Sequence, residues 1–324
     1  MARLLVTGAS GLLGANLLLA ARASHQLIAA THRQRIELPG AECVQLDLAQ
    51  PGAAHDLLRG THPDAVIHCA AFTDVDACEG HPELAERLNA EVPGWLAEAC
   101  AHEGTRMIHI STDAVFDGQQ GNYSEDDRPT PINVYGATKL RGEQAVLTAL
   151  PSAMVIRTNI FGWNAQSKLG LAEWFVERLR RGEPCTGFTD VSVSPLAADD
   201  LAARLLALLP TPLAGVLHVA GSEAVSKYQF GCLVAEHFGL QPDLIRPGLV
   251  DASGLRARRP HRLTLDVRRA EAALGAPMPR LEPGLRRWRE QEVDGTLDRL
   301  RALIDRRQHS PAGLSSPGAQ EAST

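Results

Sequence analysis

The chain's cysteines form no C-x-x-C pair: the six residues, at positions 43, 69, 78, 100, 185 and 232, are widely scattered. That spacing argues against a disulfide framework or a zinc site and fits a reducing, cytoplasmic setting. The 12 histidines show no ligand spacing either, so no metal is expected. Long apolar runs are missing. The longest, residues 12–21, is interrupted by Gly14 and Asn16 and falls far short of the roughly 20 residues a membrane span needs. The opening ARLLVTGAS lacks a basic n-region and a small-residue cleavage site, and reads directly as a strand and a turn. Excess positive charge is absent too. A net charge of −6 and a pI near 6.1 give no electrostatic case for nucleic acid or an anionic membrane. Scarcest of all are tyrosine and lysine, at 3 each against 29 arginines. A chain that nearly always chooses arginine nevertheless places Lys139 four residues after Tyr135.

What is present is an alternating rhythm. Apolar runs at 3–7, 26–31, 43–47, 65–70, 106–111 and 153–158 predict strands. Helix-period stretches at 12–22, 53–58, 82–102 and 134–150 lie between several of them. Continuous apolar strands separated by helices predict an α/β fold: a Rossmann-like doubly wound parallel sheet, covered on both faces, with right-handed crossovers. After about residue 160 helical patterns dominate, at 169–181, 199–209, 227–238 and 285–305. Two further apolar runs, 215–220 and 262–266, are strand candidates. The expected division is a dinucleotide-binding domain over 1–160 and a smaller, mixed substrate-binding region over 161–308, with some strands returning to the main sheet. The stretch 309–324, rich in Gly, Ser, Ala and Pro, predicts a disordered tail.

TGASGLLG (7–14) follows the first strand and opens the first helix. Gly8 permits a tight turn, Gly11 lets backbone approach a pyrophosphate, and Gly14 lets helix and strand pack closely. Free N–H groups and the helix dipole then hold phosphate, so Gly8, Ser10, Gly11, Leu12, Leu13 and Gly14 are the expected cofactor contacts. The bland alternative is a glycine-rich turn without a ligand; the strand before it and the helix after it favour dinucleotide binding. The second strand ends in THRQR, without the carboxylate that would bind an adenosine 2′-hydroxyl. Arg33, with Arg35, can pair with a 2′-phosphate, so NADP(H) is favoured over NAD(H). Asp47 and Leu48, after the third strand, are expected on the adenosine side.

Positions four apart share a helix face, so Lys139 can reach the Tyr135 phenol or whatever the phenol touches. A nearby ammonium favours phenolate, and the expectation is a tyrosine whose pKa is lowered from about 10. Lysine suits this better than arginine, being a compact charge with rotatable donors for ribose hydroxyls. Upstream, a strand ends at Ser111-Thr112-Asp113, at the sheet edge where ligands bind. The Thr112 hydroxyl there can orient a carbonyl toward Tyr135.

With these residues in place the chain resembles the extended short-chain dehydrogenase/reductases, and within them the dTDP-4-dehydrorhamnose reductase family. The similarity rests on HCAAFTDVDACEGHPELAERLNAE (68–91), ISTDAVFDG (110–118), YSEDDRPTPINVYGATKLRGE (123–143), VIRTNIFG (155–162) and RRPHRLTLD (258–266). The resemblance implies Thr112, Tyr135 and Lys139 as the catalytic trio, with Ala70, Ala71 and Asn89 near the cofactor. It implies NADPH-dependent reduction of the 4-keto group of a nucleotide-linked 4-dehydro-6-deoxy sugar, as in dTDP-rhamnose biosynthesis. Asp113, Lys168, Arg258 and Arg259 are the candidate substrate contacts, the last three toward a diphosphate. The chain departs from the family where Tyr usually follows Ser-Thr-Asp, carrying Ala114 instead, and at RTNIFGWN (157–164) on the sugar-facing wall. The missing second carboxylate after Asp113 disfavours a 4,6-dehydratase. An NAD(P)-dependent epimerase remains an alternative. So does a non-catalytic NADP-binding regulatory subunit, because VIHCAA, YGATKLRGE and VSKYQFGCLVAEHF also resemble the regulatory β subunit of methionine adenosyltransferase. The implied partner is a nucleotide sugar, with no nucleic acid and no membrane; a homodimer stays open.

Overall fold

Arg3–Thr7 form β1, a short apolar run whose Leu4, Leu5 and Val6 are wholly buried. The computed structural model describes residues 1–166 and 168–304. The strands that follow are β2 (Gln26–Thr31), β3 (Glu42–Gln45), β4 (Ala65–His68), β5 (Arg106–Thr112) and β6 (Met154–Thr158). With Gly215–His218 they make a seven-stranded sheet in the order β3-β2-β1-β4-β5-β6-(215–218), every neighbouring pair parallel. The order reverses between β1 and β4, and in such sheets ligands bind at the carboxyl edge beside that reversal.

Alternation within the strands sends side chains to two apolar layers. Leu4, Val6, Ile67, Ile108 and Ile156 belong to one; Leu5, Val66, Met107 and Val155 belong to the other. The helices of the first half are α1 (Leu12–Ala21), α2 (Ala53–Thr61), α3 (Val75–Gly80), α4 (Pro82–Glu86), α5 (Val92–Glu103) and α6 (Val134–Ala149). Both layers are covered, as the unbroken apolar strands require.

The helix expected over 82–102 is interrupted. Arg87–Glu91 form a π turn between α4 and α5. Pro93 is the cause: it has no N–H to give to the Asn89 carbonyl one turn back, and the ladder widens there.

In the second half α7 (Leu171–Arg180), α8 (Ala198–Leu208), α9 (Lys227–His237), α10 (Arg268–Leu274), α11 (Leu281–Val293) and α12 (Thr296–Ala302) surround short strand pairs. Ser192–Val193 pairs antiparallel with Val225–Ser226 and parallel with Arg262–Leu263. The run 262–266 therefore supplies only a two-residue strand. The pattern expected as one helix over 285–305 is two helices, broken at Gly295, whose φ of +80° favours glycine. Residue 305 and the predicted tail over 309–324 lie outside the described residues. No described helix is long and apolar enough to cross a membrane.

Candidate active site

The glycine loop turns exactly one way because of its neighbours. Gly8 has φ +62°, and a Cβ there would meet Ala70 N at 2.6 Å. A Cβ on Gly14 would collide with the Gly8 carbonyl and come within 2.7 Å of Ala9 Cα. The loop is thus pressed against the end of β4 on one side and its own helix on the other. Gly11 caps α1 without any side-chain hydrogen bond, and no acid occupies the first turn. The leading N–H groups, at Leu12, Leu13 and Gly14, are left for an anion, as a dinucleotide pyrophosphate would require. Ser10 Oγ accepts from Gln166 Nε2 at 2.8 Å, which ties the loop to the second half of the chain.

On the adenosine side, Asp47 holds its own turn by accepting from Ala49 N at 3.0 Å and Gln50 Nε2 at 3.0 Å. These bonds hold its carboxyl below the usual range, with His32 and Arg33 adding to the effect. Leu48 is half-buried beside it, and Arg33 is exposed with no ion pair among the described residues. Arg35 instead lines a hollow of about 460 Å³ along β2 and β3, with Thr31, Ile36 and Gln45. That hollow lies along β2, three strands away from β5.

Thr112 ends β5, and Asn133 starts α6 by accepting from Gly136 N at 2.8 Å. Gly136 lets the first turn of α6 lie against the Ala114 carbonyl, where a Cβ would collide. This contact brings Tyr135 over the carboxyl end of β5. Thr112 is near enough to act on its hydroxyl, and Asp113 and Cys78 lie on the same side. Thr112 also contacts Asp113 Oδ1 at 3.1 Å, and Asn159 Nδ2 donates to Asp113 Oδ2 at 2.7 Å. Burial pushes the Asp113 carboxyl up to about 6 despite these bonds.

Lys139, fully buried one turn on, donates from Nζ to the Ile110 carbonyl at 2.7 Å and lies 3.4 Å from His109 Nε2. Burial draws its pKa down to about 8, with Glu143 and Cys69 opposing the fall. The expectation that Lys139 lowers the Tyr135 pKa fails here. Burial raises the phenol instead, and Thr112, not Lys139, is the neighbour that offsets it. The physical reason is direction: the ammonium is turned down onto the β5 backbone, so its charge serves that carbonyl first.

Other expected contacts are placed differently from one another. Ala70 and Ala71 follow β4 against the glycine loop. Asn89, in the π turn, spends its amide on that same segment: Oδ1 accepts from Phe72 N at 2.8 Å and Nδ2 donates to Phe72 O at 3.0 Å. It shapes the loop behind the cofactor side, with Thr138 as its third partner at 3.2 Å. Arg259 is committed to Asp76 at 2.7 Å, so it is not a free diphosphate donor. Arg258 is exposed, its carbonyl accepting from Asn133 Nδ2 at 2.9 Å. Lys168 is exposed and donates to Thr73 Oγ1 at 3.2 Å. Gln166, Asn159 and Lys227 were not singled out from sequence. Lys227 is drawn down by burial, near both Arg259 and Asp113. No group of three or more acidic, histidine or cysteine residues able to hold a metal occurs among the described residues.

Known proteins resemble this chain over most of its length. The family model described as RmlD substrate binding domain matches residues 2–293. The chain is 37% identical over 287 residues to the "Probable low-salt glycan biosynthesis reductase Agl14" of Haloferax volcanii, covering 86% of this chain and 95% of that one. It is 40% identical over 256 residues to a dTDP-4-dehydrorhamnose reductase of Mycobacterium tuberculosis, covering 76% and 78%. It is 33% identical over 289 residues to methionine adenosyltransferase 2 subunit beta of Bos taurus, covering 83% and 81%. Among solved structures, a hypothetical dTDP-4-dehydrorhamnose reductase from Sulfolobus tokodaii superposes with TM-score 0.78 at 35% identity, covering 87% and 98%. A dTDP-4-dehydrorhamnose reductase from Bacillus anthracis in complex with NADP gives TM-score 0.77 at 26% identity, covering 89% and 98%.

Proposed function

Because the chain belongs to the RmlD substrate-binding domain family, we propose that it is an NADPH-dependent reductase of the 4-keto group of a nucleotide-linked 4-dehydro-6-deoxy sugar. The observation that carries this reading is the placing of Tyr135 near Thr112 at the carboxyl end of β5, one helical turn from a buried Lys139. The reduced nicotinamide supplies the hydride. The chain's residues do the rest. Thr112 and Tyr135 present two hydroxyls to one carbonyl oxygen, which fixes its orientation. Tyr135 gives its proton to that oxygen as negative charge develops there. A phenol raised by burial is protonated over the whole working range, as a donor must be. Lys139 offers its remaining N–H groups to ribose hydroxyls, and the uncapped start of α1 receives the pyrophosphate. Arg33 supports NADP(H) over NAD(H) by offering an unpaired guanidinium where the second strand ends.

The test is absorbance of the reduced nicotinamide, with dTDP-4-dehydro-6-deoxy sugar generated in situ. Wild-type chain should consume NADPH, and Tyr135→Phe should lower kcat by about 10²–10⁴-fold, with NADPH affinity within about twofold. A fully active Tyr135→Phe would remove the tyrosine from the mechanism. A second reading, an NADP-binding regulatory subunit, draws on the 33% identity to methionine adenosyltransferase 2 subunit beta. Tight NADPH binding with no oxidation by any keto sugar would favour it.

A further inference from the structure

Beneath Lys139 a row of polar side chains crosses the sheet at one level. Thr7 of β1 pairs in register with His68 of β4, and His68 with His109 of β5. All three are completely buried, within the layer that otherwise holds Leu5, Val66, Met107 and Val155. Thr7 Oγ1 and His68 Nδ1 are 2.6 Å apart. The two imidazoles stack, with centroids 5.3 Å apart and planes at 22°. His109 Nε2 faces Lys139 Nζ at 3.4 Å, while His109 Nδ1 and His68 Nε2 have no hydrogen-bond partner among the described residues. A sheet layer gains nothing from such a row. Valine or leucine would pack as well and would avoid burying polar atoms that lack partners. The fold therefore does not explain the histidines, and the hydride-transfer chemistry proposed above does not use them.

We propose that His109 is a positioning residue: a neutral imidazole, braced by His68 and Thr7, that accepts from Lys139 Nζ and, with the Ile110 carbonyl, holds the ammonium on β5 so that its remaining N–H is presented to the nicotinamide ribose. Burial keeps both rings uncharged, His68 down to about 3 and His109 well below its ordinary value, so the acceptor persists across the working range. An ammonium has three donors. Two are engaged by β5, which leaves one for a ribose hydroxyl. The charged and titratable groups facing Lys139 are Glu143 from α6, Cys69 and His68 from β4 and its end, and His109 from β5. Glu143 is engaged by Arg157 at 2.7 Å, which leaves the imidazole as the adjustable neighbour.

The inference rests on the reading of Lys139 as part of the reductase site, but its test does not require turnover. The chain has three lysines, at 139, 168 and 227, so ε-¹³C-lysine labelling gives a spectrum in which Lys139→Met identifies the Lys139 signal. Wild-type Lys139 should titrate near 8. His109→Met removes the acceptor, disfavours the charged form, and should lower that midpoint by about half a unit or more. His109→Gln restores an acceptor and should recover most of the shift; His109→Leu, a second apolar variant, should match His109→Met. In the assay, His109→Met should lower kcat about tenfold with little change in the sugar KM, and the alkaline limb of the rate profile should move to lower pH. A wild-type midpoint in both apolar variants would overturn the proposal, as would a glutamine variant that behaves like methionine. Absent turnover in the wild type would count against the reductase reading alone, since the titration would still report on His109.

Discussion

Burial at Tyr135 and Asp113 sets two opposite demands on neighbouring groups. The phenol is raised and stays a donor, while the carboxyl, pushed up to about 6, is ionised at neutral pH at a cost to the fold. The sign follows from the direction of the shift. A carboxyl whose folded pKa lies above its unfolded value of 3.8 favours folding less as pH rises from about 4 to about 6, and the cost is complete above that. Asp113→Asn should therefore raise stability at pH 7.5 by roughly 2–3 kcal/mol and leave it unchanged at pH 4, read by urea melts at both values. Equal effects at both would mean that the carboxyl is not strained by burial. The same substitution should weaken turnover, because Asp113 lies against Thr112 and Tyr135. At this scale the nearness of Thr112, Tyr135 and Lys139 at the end of β5 was legible in sequence, from the strand-end hydroxyl and the i to i+4 spacing. The direction of the Lys139 charge was not legible: i to i+4 spacing places two residues on one face but does not say that the longer one folds back onto a strand. His68 and His109 were invisible as well, because a histidine in an apolar strand reads as an ordinary core residue.

Helix α6 carries Tyr135 and Lys139, and its lower face is anchored through charge. Glu143 accepts from Ser111 Oγ at 2.5 Å and from Arg157 at 2.7 and 3.0 Å, with both charged side chains almost completely buried. A buried pair of this kind adds little net stability over apolar packing, but it leaves a heavy penalty when halved. Glu143→Leu should cost about 3–5 kcal/mol in chemical denaturation, because Arg157 is left charged and unpaired; Glu143→Leu with Arg157→Met should recover much of it. A single variant as stable as wild type would show that α6 is held by packing alone. One residue earlier, Gly142 lies against the Asn89 carbonyl that Pro93 frees. The helix pattern over 82–102 was readable from its apolar spacing. The π turn within it was not, because it depends on α6 lying across the freed carbonyl, a contact between segments some fifty residues apart.

Across the whole molecule, the proposed cofactor side is tied to both halves of the chain, from the start of α1 through Ser10 and Gln166 to Lys168 on Thr73. A ligand bound there stabilises the folded state by mass action, by about 2.7 kcal/mol at a hundredfold excess over Kd. NADPH should raise the melting temperature more than NADH at equal concentration, and Arg33→Ala should erase the difference; an equal shift by both cofactors in the wild type would remove the 2′-phosphate argument. The parallel sheet was legible because unbroken apolar strands separated by helices have few other solutions. The second half was read less completely, since its two-residue strands have no periodicity to detect and pair only once the larger sheet has placed them. The account's central claim is that hydride passes from nicotinamide to a sugar carbon on this chain. The most direct measurement supplies NADPH deuterated at nicotinamide C4, on the transferred face, with a dTDP-4-dehydro-6-deoxy sugar, and locates the label by NMR. Deuterium at sugar C4, in step with NADPH oxidation and lost in Tyr135→Phe, is the predicted result. A product without deuterium at C4, formed with no net loss of NADPH, would contradict it.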